Sequence, residues 1–145
     1  MIPAAIELHR QSRTLELRYA DGTQFTLSCE YLRVYSPSAE VRGHGEGQEK
    51  LQTGKINVAI TDIKPVGNYA VQFTFSDGHD TGIYSWSYLR ELCDNREAWW
   101  DDYLRRLHEA GASRDPEVQV VRLGGLSAPA KSSAAPVGSW EPPQK

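Results

Sequence analysis

The sequence predicts an α+β fold in which two β-hairpin–helix units pair into an antiparallel sheet that carries its helices on one face. Three observations support this prediction. Apolar and polar residues alternate as in half-buried strands, an Asp-Gly pair follows two of these segments, and a Ser-x-x-Tyr-Leu-Arg motif ends each return from the turn. These features span residues 17–33 and recur over residues 73–90. Their joint repetition at nearly equal spacing indicates a duplicated unit.

The first unit begins with two alternating segments, residues 6–9 and 15–19, which we predict to be strands. Asp21-Gly22 then forms a two-residue turn, because glycine tolerates the positive φ that tight hairpins require. A return strand follows over residues 25–27. Ser28 is expected to cap the short helix after this strand, since a serine hydroxyl can accept a backbone N–H that has no partner within the helix.

Between the units the periodicity stops from residue 36 to residue 54, and we expect a long, glycine-rich surface loop there. Arg33, Arg42, His44 and Gln48 could form an anion-binding or partner-binding site on this loop, since glycines allow backbone N–H groups to approach an anion. The alternative is a solvated loop, or one that packs back on the sheet. The loop is neither a Walker A motif nor a dinucleotide fingerprint, because no strand leads into it and no Gly-Lys-Ser/Thr follows.

The strands of the second unit are predicted at residues 56–63, bounded by Pro65, and at residues 69–75. Asp77-Gly78 repeats the turn of the first unit. It leads into a short strand at residues 82–84. The second unit therefore has the same order of strand, Asp-Gly turn and strand as the first.

Ser85 is expected to cap a second helix, in which apolar residues recur at helical spacing as far as Leu107. Asp94-Asn95 could break this helix in two. Most of its aromatic residues are expected to lie in the core. The adjacent Trp99 and Trp100 cannot both lie on one helix face, so one of them could be an exposed anchor for a partner.

The composition changes after Gly111, so we place the folded domain at residues 1–110 and predict a disordered tail at residues 111–145. Five of the eight prolines lie in residues 112–145, together with many Ala, Ser and Gly residues. Such a segment cannot bury enough apolar surface to offset its conformational entropy. A β-prone run at residues 118–123 could still add an edge strand.

The charge balance argues against nucleic acid as a partner. Residues 1–110 contain 12 Lys and Arg against 16 Asp and Glu, whereas phosphate binding needs a basic surface. No apolar run approaches the roughly 20 residues that span a bilayer, and the first residues lack the pattern of a signal peptide. Only Cys29 and Cys93 are present, far apart. We therefore expect a cytoplasmic protein with no membrane partner.

Three stretches, YLRVYSPSAEVRGHG at residues 31–45, PVGNY at 65–69 and DGHDTGIY at 77–84, resemble the DUF971 family. The family is also called the gamma-butyrobetaine hydroxylase-like N-terminal domain, and the resemblance covers about residues 3–108. This domain stands alone in many bacteria and precedes the catalytic domain of gamma-butyrobetaine and trimethyllysine hydroxylases. In plants it is fused to Mrp-type iron–sulfur carriers. The resemblance implies a stand-alone bacterial member that lacks the iron and 2-oxoglutarate chemistry of the hydroxylases.

The resemblance also implies where a zinc site would lie. In the hydroxylases a structural zinc is bound by Cys-x-Cys-x-x-Cys and by a histidine after Asp-Gly. The corresponding positions of this sequence are Ser36, Ser38, Val41 and His79. Closed zinc sites use four nitrogen or sulfur ligands, so three of the four are missing and we expect no zinc there. His79 could still act as an acid–base group, or simply bond to nearby backbone.

These observations favour a non-catalytic accessory or protein-interaction module, without a cofactor, because no nucleophile is tied to His79. The family fusions imply iron–sulfur protein assembly as the context and an iron–sulfur carrier as a partner. A metal-binding domain is an alternative. It would bind zinc or iron through His79 with His44, Cys29 or Cys93. A binder of a small anionic ligand is a further alternative.

Overall fold

The computed structural model of the chain describes residues 2–42 and 50–118. Within them the α+β class, the antiparallel strands and the two hairpin–helix units are confirmed. The elements, in chain order, are β1 (Ala5–His9), β2 (Thr14–Arg18), β3 (Gln24–Ser28), α1 (Cys29–Val34), α2 (Ala39–Arg42), β4 (Ile60–Val66), β5 (Ala70–Phe75), β6 (Ile83–Ser85), α3 (Trp86–Asp94) and α4 (Arg96–Ala110).

The strands of the described chain form two three-stranded sheets rather than the single sheet that the repeat predicted. β2 lies between β1 and β3, and β5 lies between β4 and β6. Each hairpin pairs with the strand that directly precedes it, because short connections favour neighbours in sequence. Leu15 and Leu17 from β2 and Phe73 and Phe75 from β5 belong to one apolar cluster. The two sheets therefore share a core.

The Asp-Gly turns and the serine caps are confirmed in both units. Gly22 and Gly78 have the same positive φ of 92°, which explains why glycine stands at both positions. Ser28 Oγ accepts a hydrogen bond from the N–H of Tyr31 at 3.0 Å. Ser85 Oγ accepts one from the N–H of Tyr88 at 3.1 Å. The repeated motif is thus a repeated local structure.

The two units also exchange equivalent contacts. The hydroxyl of Tyr31 donates to the carbonyl of Leu92 in α3 at 2.7 Å. The hydroxyl of Tyr88 donates to the carbonyl of Tyr35, which ends α1, at 2.5 Å. Each motif tyrosine therefore fastens the end of the helix in the other unit.

The arginines of the two motifs cross over in the same way. Arg33 Nε lies 2.9 Å from Asp77 Oδ2, in the Asp-Gly turn of the second unit. The guanidinium of Arg90 lies 4.8 Å from the ring centre of Tyr19 and 5.1 Å from that of Phe25, on the hairpin of the first unit. Each motif arginine therefore contacts the hairpin of the other unit.

The strand predicted at residues 56–63 was placed too early and ended too soon. β4 covers Ile60–Val66 and includes Pro65, which pairs with Val71. β4 is an edge strand of its sheet, and an edge strand tolerates proline because not every N–H is needed by a neighbour. Proline therefore lies inside this strand and does not end it.

The second helix is broken at the predicted position. α3 ends at Asp94, α4 begins at Arg96, and Asn95 lies between them with φ −108° and ψ 18°. The backbone N–H and the side-chain amide of Asn95 both donate to the carbonyl of Glu91, at 3.0 and 2.8 Å, and so close the last turn of α3. The break allows α4 to take a direction of its own.

The region predicted as one loop, residues 36–54, contains the four-residue helix α2. Ser38 Oγ accepts the N–H of Glu40 at 3.1 Å just before this helix. The N–H of Lys50 donates to the carbonyl of Val41 at 2.7 Å and joins the chain on either side of residues 43–49. His44 and Gln48 lie outside the described residues.

The chain packs on the domain beyond the boundary predicted at residue 110. Gly111 ends α4 in the left-handed conformation, with φ 66°. Arg114 then forms two hydrogen bonds to the carboxylate of Glu30 in α1, at 2.9 and 2.7 Å. Val118 is not part of a strand, and the rest of the predicted tail, residues 119–145, lies outside the described residues. No described helix is long and apolar enough to cross a membrane.

Candidate functional site

Three of the four positions that the zinc motif would occupy, Ser36, Ser38 and His79, lie in a cluster of hydrogen-bonded polar side chains. Ser36 Oγ lies 2.9 Å from His79 Nε2, and His79 Nδ1 lies 3.2 Å from Glu40 Oε1. Ser38 Oγ lies 2.7 Å from Thr81 Oγ1. We call these five residues the His79 cluster. It joins the segment after α1 to the turn between β5 and β6.

The local sequence explains how the turn reaches this segment. The carboxylate of Asp77 accepts the backbone N–H of His79 at 3.2 Å, which fixes the direction of the chain after the turn. A Cβ atom at Gly82 would overlap Ser36 Oγ, so only glycine permits the close approach. The Asp-Gly turn and Gly82 together place the imidazole against Ser36.

The side chains of the His79 cluster do not fit zinc. Ser36 Oγ already accepts the N–H of Ser38 at 3.2 Å and contacts the imidazole nitrogen that would bind the metal. Val41 is buried and has no ligand atom. A structural zinc requires thiolate or imidazole ligands, and here hydroxyl groups hydrogen-bond to each other and to His79 instead. The cluster is held together by hydrogen bonds among its own side chains.

Ser36, His79 and Glu40 have the connectivity of a serine hydrolase triad, but their burial is reversed. Ser36 is 0% exposed, whereas the side chain of Glu40 is 64% exposed. A nucleophile must reach the substrate, and the acid that orients a catalytic histidine is normally the buried member. Burial lowers the pKa of His79, with a contribution from nearby Arg33, so the neutral imidazole is favoured. The arrangement ties two segments together.

Arg33 lies beside this cluster and its charge is used within the fold. Its Nε and the Nζ of Lys55 lie 2.9 and 2.6 Å from Asp77 Oδ2. Burial would raise the pKa of Asp77, but the hydrogen bonds from Lys55 and from the N–H of His79, with the charge of Arg33, lower it to about 2. Arg33 Nη1 is buried without a hydrogen-bond partner among the described residues.

A cleft of about 560 Å³ lies between α1, α3, α4 and residues 50–52. We call it the aromatic cleft, because four aromatic side chains are among its lining residues. The lining residues are Val34, Tyr35, Val41, Arg42, Lys50, Leu51, Gln52, Tyr88, Glu91, Trp99, Asp102, Tyr103 and Arg106.

The tyrosine rings of the aromatic cleft are held by hydrogen bonds to the backbone. The hydroxyl of Tyr35 donates to the carbonyl of Trp99, and that of Tyr103 donates to the carbonyl of Gln52, both at 2.7 Å. Tyr88 donates to the carbonyl of Tyr35, as described above. These bonds join α1, α3, α4 and the segment before β4 around the cleft. The rings are therefore a fixed surface.

The cations of the cleft differ in their partners. Arg106 Nε lies 3.1 Å from Asp102 Oδ2, and its guanidinium lies 5.9 Å from the ring centre of Tyr35. The guanidinium of Arg42 lies 5.7 Å from the ring centre of Tyr88. Within residues 2–42 and 50–118, neither Arg42 nor Lys50 has a carboxylate partner. The cleft thus combines aromatic rings with two cations that no described carboxylate neutralises.

Of the predicted loop residues, Arg42 lines the aromatic cleft, Arg33 lies elsewhere, and His44 and Gln48 are outside the described residues. The tryptophan pair is divided. Trp99 faces the cleft, while Trp100 packs on Tyr31 and Tyr103 and lies beneath the guanidinium of Arg114. Both side chains are half-buried, whereas the sequence allowed one of them to be an exposed anchor.

Sequence reasoning missed Lys50, Tyr35 and the charged residues of α4. The sequence does contain a pattern that indicates the charged residues of α4. Trp99, Asp102, Tyr103 and Arg106 stand at positions i, i+3, i+4 and i+7, which lie on one face of a helix, and all four line the cleft. No comparable pattern links Lys50 or Tyr35 to that face, because they come from other segments.

The metal-binding alternative uses His79 and His44 with Cys29 or Cys93 as further ligands, and His44 lies outside the described residues. Cys29 and Cys93 are buried in the core, and burial raises the pKa of both thiols, that of Cys93 to about 12. In the part of the chain that the structure describes, the group of three potential ligands within 4.8 Å is Glu7, His9 and Glu16. These side chains lie on β1 and β2. Glu7 and Glu16 are paired with Arg18, and His9 Nε2 lies 3.0 Å from Glu16 Oε1. His79 and the cysteines form no such group there.

The fold and the His79 cluster define a class of small α+β domain, in which two hairpin–helix units meet around a hydrogen-bonded polar centre. The family described as gamma-butyrobetaine hydroxylase-like, N-terminal, matches residues 6–90. The chain belongs to this family, as the resemblance in the sequence implied. No protein with a curated description matches it.

Three solved structures are similar to the chain. A solution NMR structure has 50% identity and a TM-score of 0.72, covering 85% of this chain and 97% of the other. A second NMR structure has 52% identity and a TM-score of 0.69, with 84% and 91% covered. A crystal structure of a protein of unknown function from the DUF971 family, from Acidithiobacillus ferrooxidans, has 43% identity and a TM-score of 0.53, with 62% and 90% covered. This chain covers at least 90% of the length of each of these solved chains.

Proposed function

We propose that this protein is a non-catalytic interaction module that binds a segment of a partner protein in the aromatic cleft. The observation that carries the proposal is the combination of fixed aromatic rings with Arg42 and Lys50, which have no carboxylate partner among the described residues. Aromatic residues and arginine supply most of the binding energy at protein interfaces. A partner that covers the aromatic rings and forms ion pairs with Arg42 and Lys50 would therefore bind favourably to this surface.

Several observations support the non-catalytic part of the proposal. Ser36, the hydroxyl that contacts His79, is fully buried. The thiol of Cys93 is buried and its pKa is raised to about 12, which disfavours the reactive thiolate. The family that matches this chain is the N-terminal domain of the gamma-butyrobetaine hydroxylase-like proteins. The catalytic domain of the hydroxylases is a separate domain.

A protein segment suits the cleft better than a metabolite does. Sites for small molecules usually combine an apolar wall with a few fixed polar groups that converge on the ligand. In the aromatic cleft the hydroxyls of Tyr35, Tyr88 and Tyr103 already donate to carbonyls of the protein. The groups left for a ligand are ring faces and the ends of long cationic side chains, as in protein interfaces.

The first partner to test is an Mrp-type iron–sulfur carrier, since family members are fused to such carriers. The aromatic cleft is the surface that we assign to this contact.

The test is affinity purification of partners with three forms of the full chain, analysed by quantitative mass spectrometry. The cleft variant is Arg42→Ala/Lys50→Ala. The matched control is Arg10→Ala/Lys64→Ala, which removes two exposed cations on β4 and after β1 and leaves the same net charge. Far-UV circular dichroism and thermal unfolding check that all three forms are folded.

We expect the cleft variant to recover about tenfold less of its main partner than the wild type does. The reason is that each lost charge-assisted contact contributes on the order of 1 kcal/mol to binding. The control should recover as much partner as the wild type. Equal recovery with all three forms, or no partner with the wild type, would contradict the proposal.

An anionic metabolite is a second candidate, because the cleft volume of about 560 Å³ lies within the range of ligand pockets. A thermal-shift screen of anionic metabolites tests it, since a ligand that binds the native state raises the melting temperature. The shift should disappear in Arg42→Ala/Lys50→Ala. No shift with any compound would leave the protein partner as the occupant.

A further inference from the structure

We infer that the segment bound by the aromatic cleft carries one or two carboxylates next to a large apolar side chain; this inference rests on the proposed function. It names the chemistry of the partner at the same site. Three features of the cleft support it: the cations Arg42 and Lys50, the apolar part of the lining, and Glu91, a carboxylate that limits the negative charge of the partner.

The charge comes from Arg42 and Lys50. The backbone N–H of Lys50 donates to the carbonyl of Val41, the residue before Arg42. This hydrogen bond holds Arg42 and Lys50 close together where they line the cleft. Arg106 is already paired with Asp102. The domain as a whole is acidic, with 12 cationic against 16 acidic residues in positions 1–110. A positive site on an otherwise acidic domain favours a partner segment that places a carboxylate at that site.

The apolar surface comes from Tyr35 and Trp99. Their ring centres lie 5.4 Å apart with a tilt of 31°, and the hydroxyl of Tyr35 donates to the carbonyl of Trp99, so the two rings hold each other in place. Val34, Val41 and Leu51 complete the apolar lining. Trp99 remains half-exposed in the absence of a partner. A leucine or aromatic side chain placed on these rings would be removed from water, as at an interface hot spot.

Glu91 limits how acidic the partner can be. It lines the cleft, and no cation pairs with it among the described residues. A run of several carboxylates would place negative charge against Glu91 as well as against Arg42 and Lys50. Like charges brought together at an interface weaken binding. The cleft therefore favours a segment with one or two carboxylates over a polyacidic tract.

The experiment is selection of random dodecapeptides, displayed on phage, against the immobilised full-length wild type. Selected peptides are then synthesised in three forms: as selected, with Asp and Glu changed to Asn and Gln, and with the apolar anchor changed to Ala. Their dissociation constants are measured by fluorescence anisotropy with wild type, Arg42→Ala/Lys50→Ala and the control Arg10→Ala/Lys64→Ala.

We expect selected peptides to combine an acidic residue with a leucine or aromatic residue. Changing the acid to its amide should weaken binding to the wild type and to the control by about tenfold. The same change should have little effect with Arg42→Ala/Lys50→Ala, because the carboxylate then has no cation to lose. Replacing the apolar anchor should weaken binding to all three forms.

Two results would overturn the inference, and they differ in what they imply for the proposed function. Some peptides could bind the wild type more tightly than Arg42→Ala/Lys50→Ala and yet bind equally well as acids and as amides. That result would exclude the carboxylate and leave the interaction module in place. Selection of no peptide, or of peptides that bind equally to the wild type and the cleft variant without an acid effect, would count against both.

Discussion

His79 connects the turn after β5 to the segment after α1 through both of its ring nitrogens. The hydrogen bonds are satisfied when Nδ1 donates to Glu40 and Nε2 accepts from the hydroxyl of Ser36. This pattern requires the neutral imidazole. His79 is thus held in place in the fold by hydrogen bonds from both ring nitrogens.

The neutral state of His79 predicts how stability depends on pH. Burial lowers the pKa of His79 below its ordinary value of 6.5, so the unfolded chain takes up a proton more readily than the folded chain. The stabilisation is complete above pH 6.5 and is lost as the pH falls below that value towards the lower pKa of the folded state. A difference of one pKa unit between the two states corresponds to about 1.4 kcal/mol.

Urea unfolding of wild type and His79→Gln over this pH range measures the effect. The wild type should lose free energy of unfolding as the pH is lowered, and the variant should lose less, because it has no imidazole to protonate. An NMR titration of the histidine ring protons provides a direct check. An equal pH dependence in both proteins would show that His79 is not the group responsible.

At the scale of elements, each unit places its helix with the same device. The chain leaves the third strand of the sheet, a serine hydroxyl accepts the N–H of the motif tyrosine, and the helix begins at once. Both serines have the extended backbone conformation typical of an N-cap. The start of α1 and of α3 therefore depends on one hydroxyl each, and these starts fix where Tyr31 and Tyr88 lie.

We expect Ser28→Ala and Ser85→Ala each to reduce the free energy of unfolding by about 1 kcal/mol, the usual effect of removing an N-cap hydroxyl. The matched control is Ser87→Ala, which lies exposed in the first turn of α3 and does not cap it. Chemical denaturation at neutral pH measures the three values. If Ser85→Ala and Ser87→Ala behaved alike, the hydroxyl of Ser85 would not be what stabilises the start of α3.

At the scale of the whole molecule, the two units share one core and exchange their tyrosine hydroxyls. Tyr31 and Tyr88 each reach a carbonyl at the end of the helix of the other unit. Neither hydrogen bond can form within one unit alone. The units are thus expected to unfold together as a single cooperative domain.

Tyr31→Phe and Tyr88→Phe test this coupling. Each should destabilise the protein by about 1–3 kcal/mol, because a carbonyl inside the protein loses its donor. Far-UV and near-UV circular dichroism should still report one coincident transition. The control is Tyr69→Phe, since Tyr69 is exposed and its change should leave the free energy of unfolding nearly unaltered. Separate transitions of the two sheets in either variant would contradict the shared core.

The aromatic cleft also belongs to this scale, and only part of it could be predicted. Arg42 and the helical face that carries Trp99 are visible in the sequence, since one follows a recognisable motif and the other has helical spacing. Lys50 and Tyr35 are not, because their positions depend on how three separate segments pack. The same reason explains why Arg33, predicted beside Arg42, instead pairs with Asp77 in the other unit.

Local sequence was enough to predict the Asp-Gly turns, the serine caps and the break at Asn95. These depend on residues within one turn of each other, through the φ angle of a glycine or the reach of a hydroxyl. The tertiary structure alone decided that the strands form two sheets, that Pro65 lies inside an edge strand and that residues 111–118 pack on α1. Those outcomes depend on contacts between segments distant in the chain, which the packing of the shared core brings together.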